Sequence, residues 1–74
     1  MWTYNIFPVD AEGRVLDNKH PTPAGYSAAS QAQARAECLR QYPGAAGTAR
    51  AWVGEDILTH RRAGEDLDTP EWRP

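Results

Sequence analysis

The sequence predicts a small α+β fold, an antiparallel sheet of three or four strands packed on one helix at about residues 30–42. Three observations predict it. A helical apolar period runs from Ser30 to Tyr42 and ends at Pro43-Gly44. The segment before it, Trp2-Thr3-Tyr4-Asn5-Ile6-Phe7-Pro8-Val9, is rich in the aromatic and β-branched residues that favour strands. The segment after it, Thr48-Ala49-Arg50-Ala51-Trp52-Val53, alternates small with larger side chains.

In chain order, residues 2–9 form the first strand, with Trp2, Tyr4 and Ile6 on one face and Thr3, Asn5 and Phe7 on the other. Pro8 has no N–H for the ladder, so the strand ends there or runs along an edge. Asp10-Ala11-Glu12-Gly13 is a turn, and Arg14-Val15-Leu16-Asp17 returns as a short second strand. Asn18 to Gly25 carries two prolines and reads as an extended loop. Ser30 and Gln33 have the spacing of a capping box, with Ser27 as the alternative cap. Two apolar rows line the helix, Ala32-Ala36-Leu39 and Ala34-Cys38-Tyr42. After the third strand, Gly54-Glu55-Asp56 turns the chain into a possible fourth, Ile57 to Arg61. The order is β-β-α-β, or β-β-α-β-β. Residues 1–62 make one domain and residues 63–74 an acidic C-terminal tail, extended or docked.

With 74 residues the chain buries only about 60% of its unfolded surface, enough for one thin core. A hydrophobic content of 41% with 24% charged residues is that of a globular domain. Cys38 is the only cysteine, so no internal disulfide exists. Neither a signal-peptide pattern nor an apolar run of membrane-spanning length is present, and the expectation is a cytoplasmic protein. The tail holds Glu65, Asp66, Asp68 and Glu71 against Arg73, a net −3, while residues 1–62 carry a net +1. Seven arginines against one lysine, with abundant alanine, point to a GC-rich coding sequence of the kind found in actinobacteria and their phages.

No catalytic set is placed by the sequence. Cys38 lies between Ala34 and Tyr42 on the helix, the position of a small packing residue. His20 precedes a proline in a loop, and His60 sits beside Arg61 and Arg62. There is no Cys-x-x-Cys, no His-Glu-x-x-His and no EF-hand spacing, so neither metal nor cofactor is expected. Trp2, Tyr4, Trp52 and Trp72 are the candidate protein-binding residues. Tryptophan and tyrosine dominate interface hot spots, and three tryptophans are many for so thin a core. The first expectation is therefore a non-enzymatic accessory or inhibitory factor, phage- or mobile-element-encoded. It binds an unknown protein partner through an aromatic sheet face or edge and the acidic tail, as a monomer or as a homodimer joined at a strand edge.

The alternative is nucleic-acid binding. The turn Asp10-Ala11-Glu12-Gly13-Arg14 and the helix start Ser30-Gln31-Ala32-Gln33-Ala34 resemble the arm-binding domains of phage-type integrases. The resemblance covers about half of the chain. It implies a three-stranded sheet presented to a DNA groove and backed by one helix. For a sheet-mediated DNA binder the candidate contacts in this chain are Arg14, Arg50, Arg61 and Arg62. The sequence departs from that family in lacking dense basic residues on its strands and in adding strand-like material after the helix. Its near-neutral body is also a poor match for phosphate.

Overall fold

A computed structural model describes residues 4–25 and 27–60. It contains strand β1 (Tyr4–Val9), strand β2 (Thr22–Ala24), helix α1 (Ala28–Gln41), strand β3 (Gly47–Trp52) and a single helical turn, α2 (Ile57–His60). The strands form one antiparallel sheet in the order β2-β1-β3. The expected α+β class is what the structure shows, with α1 packed on one face of a three-stranded sheet.

β1 is the central strand even though it contains Pro8. Strand hydrogen bonds explain why this is tolerated. The Pro8 carbonyl accepts from the Leu16 N–H at 2.8 Å, on the flank away from β3. The N and C=O of one strand residue point the same way, so the N–H that proline lacks would also have faced that flank. β2 covers β1 only from Tyr4 to Ile6 and does not reach Pro8. On the other flank the pairing with β3 runs unbroken from Tyr4↔Trp52 to Val9↔Gly47.

The second strand is not the expected one. Residues 14–17 contribute a single bridge, Val9↔Val15, and the place beside β1 is taken by Thr22–Ala24 from the expected loop. Asp17 is the cause. Its Oδ1 accepts from the Lys19 N–H at 2.7 Å and folds the chain into a turn before a ladder can grow. By strand alternation Pro23, opposite Asn5, falls where its missing N–H would point outward from the sheet edge, which is where a proline fits.

The N-cap of α1 lies three residues before the expected one, at Ser27. Ser27 has extended backbone (φ −69°, ψ 147°), and its side chain accepts from the Ser30 N–H. Ala28 and Ala29 are then helical, so Ser30 sits inside the first turn and cannot cap it. Of the two apolar rows, Ala34-Cys38-Tyr42 faces the sheet, while Ala32 and Ala36 are exposed. The helix closes on Tyr42, whose N–H reaches the Cys38 carbonyl at 3.0 Å.

The expected fourth strand is a helical turn among the described residues. Gly54 turns the chain at φ 93°, the Glu55 N–H bonds the Trp52 carbonyl, and Asp56 Oδ1 accepts from the Leu58 N–H at 2.9 Å. An aspartate accepting two residues on favours helix initiation over extension.

Both faces of the sheet carry buried apolar residues. Tyr4, Ile6, Ala24, Ala34 and Cys38 form the cluster beneath α1, with Tyr42 and Trp52 packed against it. Phe7, Val9, Ala49, Ala51 and Ile57 form a second cluster on the opposite face, with Val15 against it. The far face is thus a second core, and Phe7 is only 4% exposed.

Candidate functional site

Two places in the described structure gather side chains that the core does not consume. The first is a cleft of about 190 Å³ between the Asp10–Gly13 turn and α2, lined by Gly13, Arg14, Val15, Ile57 and Leu58. Asp10 organises the turn that carries one wall. Its Oδ1 accepts from the backbone N–H groups of Glu12 (3.0 Å) and Arg14 (2.8 Å), and the Gly13 N–H bonds the Asp10 carbonyl with Gly13 at φ 83°. The Asp10 Oδ2 also meets the Arg14 Nε at 3.1 Å. The Arg14 backbone N–H, followed by its guanidinium, holds the Asp10 carboxyl below the usual carboxylate range. Arg14 Nη2 lies 3.6 Å from Glu12, so this exposed cation faces two carboxylates. The opposite wall is α2. Ile57 reaches down into the far-face cluster, while Leu58 stands 63% exposed at the rim. Leu16, next to Val15 in the chain, is 48% exposed.

The second place is a hydrogen-bonded cluster at the C-terminal end of α1. Asp17 Oδ2 accepts from the Tyr42 hydroxyl and from His20 Nδ1, the latter at 2.9 Å, while Oδ1 takes the Lys19 N–H. These donors stabilise the ionised carboxylate, Tyr42 foremost, and hold Asp17 far below the usual range. The same bond raises the Tyr42 hydroxyl, because ionising it would break the contact and set two anions together. Cys38 lies under this cluster, wholly buried in the α1-side core. Burial pushes its thiol up, away from the reactive thiolate.

Of the four residues expected to bind protein, two are described, Tyr4 and Trp52, and they pack together. Tyr4 is 2% exposed in the α1-side core, so it belongs to packing and not to an exposed sheet face. Trp52 is half-buried opposite it, the two rings meeting edge to face with centroids 5.5 Å apart. Trp2 and Trp72 lie outside the described residues, as does the whole 63–74 segment. Of the four residues expected to bind DNA, two are described, Arg14 and Arg50. Arg14 lies at the cleft, Arg50 is 8% exposed opposite Ile6, and Arg61 and Arg62 lie outside the described residues. The hairpin on which the integrase resemblance rests is reduced to its turn and one bridge.

Leu58 and the Asp17–Tyr42 contact are not evident from the sequence. Leu58 reads as a strand residue until α2 is known. Asp17 and Tyr42 are 25 positions apart, and only the Asp17-x-x-His20 spacing is local enough to see. Among the described residues no group of three or more histidine, cysteine or acidic side chains is placed to hold a metal ion, and no helix is long and apolar enough to cross a membrane. No protein family, no curated protein and no solved structure gives a significant match to the chain.

Proposed function

We propose that this is a small non-enzymatic binding protein whose partner is another protein, engaged at the cleft between residues 13–15 and α2. The observation that carries this reading is Leu58. It is a large apolar side chain, 63% exposed, on the rim of a cleft already lined by Val15 and Ile57. An isolated surface leucine needs no explanation, but one beside an apolar concavity rimmed by charge has the make-up of an interface centre. Arg14, with Asp10 and Glu12 beside it, supplies the polar rim.

The nucleic-acid alternative has less to draw on. DNA affinity grows with the number of phosphates neutralised. Arg14 already faces two carboxylates, and Arg50 is 8% exposed. The buried, protonated thiol of Cys38 favours a packing role over a nucleophilic one.

Site-specific photocrosslinking in cells tests the proposal. A benzophenone side chain at position 58 is expected to give a discrete adduct that protease destroys and nuclease does not. The same group at Gln33, exposed on α1, is expected to give none. Equal adducts at both positions, or none at 58, overturn the cleft as the site. A nuclease-sensitive adduct transfers the case to the DNA reading.

A further inference from the structure

Residues 18–25 are held to the molecule by little apolar burial. Ala24 is buried and Thr22 half-buried, while Asn18, Lys19, His20, Pro21 and Pro23 are exposed. The ladder to β1 comprises three register pairs, Tyr4↔Ala24, Asn5↔Pro23 and Ile6↔Thr22. Segments with few buried apolar contacts and short ladders open at a lower free energy than the core. What fastens this one is the carboxylate at its start, where Asp17 takes the Tyr42 hydroxyl from α1, His20 Nδ1 and the Lys19 N–H. Beneath the segment lies Cys38, wholly buried, in one cluster with Ala24 and within hydrogen-bonding reach of the Thr22 side chain.

We propose that residues 18–25 form a strap, latched to α1 by Asp17 and Tyr42, that lifts as a unit while α1 and the β1–β3 pair stay folded. Lifting uncovers the Cys38 thiol and the flank of β1 from Tyr4 to Ile6. Cys38 is the reporter of the opening, and no reactivity of its own is required. A hydrogen bond to a charged group contributes enough that its loss shifts such a local equilibrium about tenfold or more.

The test is the rate at which Ellman's reagent labels Cys38 in the full chain, at one mildly alkaline pH and a series of low urea concentrations. Local opening exposes little surface and is nearly insensitive to urea, whereas global unfolding is steeply sensitive. The native chain is expected to label slowly at a rate independent of urea. Tyr42→Phe should label about tenfold faster and Asp17→Asn at least as fast, both still independent of urea and with native far-UV circular dichroism. Tyr42→Phe keeps the Asp17 charge, so its faster labelling cannot come from a change in thiol acidity. It also decides the matter alone if Asp17→Asn does not fold. Labelling at the native rate in Tyr42→Phe, or rates that climb with urea as global unfolding does, overturn the strap.

Discussion

Asp10, Asp17 and Asp56 each turn the chain by accepting the backbone N–H two residues on, from Glu12, Lys19 and Leu58. Each turn sets the course of the next segment: the cleft wall, the loop that becomes β2, and the start of α2. Two of these carboxylates, Asp10 and Asp17, are held below their usual range, as is Glu37 on α1, where Arg40 and then Gln41 donate to it. A carboxylate whose folded pKa is lowered contributes stability above its unfolded value near 4, and that contribution is lost as pH falls through the folded value. The urea midpoint should therefore be flat around neutral pH and fall on acidification below about pH 4, with a shallower fall in Asp17→Asn. An equal fall in both proteins would remove Asp17 from the account. Glycines separate by the same residue-level physics. Gly54 sits at φ 93°, so Gly54→Ala should cost about 1 kcal/mol in denaturant unfolding. Gly44→Ala meets no atom within 4 Å and no such backbone strain, and should be neutral or slightly stabilising.

At the scale of elements, α1 is set by its ends and by one row of side chains. Ser27→Ala should cost about 0.5–2 kcal/mol, since it removes the acceptor for the Ser30 N–H. Gln33→Ala should change little, because Gln33 is exposed and outside the cap. Chemical denaturation of the pair checks whether Ser27 or Ser30 begins the helix. The small residues Ala34 and Cys38 bring the α1 axis close to the sheet, and Tyr42 closes the row. The strands divide by their edges. β2 is three residues long, with Pro21 just before it and Pro23 within it, a short, proline-marked edge of the kind that resists unwanted pairing.

At the scale of the whole molecule, β1 carries both cores. Ile6 and Phe7 are adjacent in the chain and belong to clusters on opposite faces. Loss of either side chain therefore undermines the strand on which the other cluster rests. Ile6→Ala should cost about 2–5 kcal/mol and Phe7→Ala about 3–5 kcal/mol. In a domain of this size either loss is comparable to the entire stability. Each variant is expected to lower the thermal midpoint in one cooperative transition by circular dichroism. Two separated transitions in either variant would show that the faces melt independently.

The α+β class, the first strand, the helix and the third strand were legible because each rests on a local pattern. The aromatic and β-branched content of residues 2–9, the alternation in residues 48–53, a 3.6-residue period in α1 and breakers at Pro43-Gly44 act through neighbours in the chain. Within α1 the pattern left two rows open, and only the sheet chose Ala34-Cys38-Tyr42. The identity of the second strand was not legible. Residues 14–17 have the better strand composition, yet Thr22–Ala24 took the place, because a carboxylate bound to Lys19, His20 and Tyr42 turned the chain away first. The candidate site was hidden for the same reason. Val15 and Leu58 meet across the cleft only after β1, β3 and α2 have folded the chain back on itself. By itself the sequence determined that β1 and β3 are strands and α1 a helix, since those preferences act over a few residues. Tertiary structure decided which strand pairs, which face is buried and where apolar side chains are left at water, because contacts between distant residues set all three.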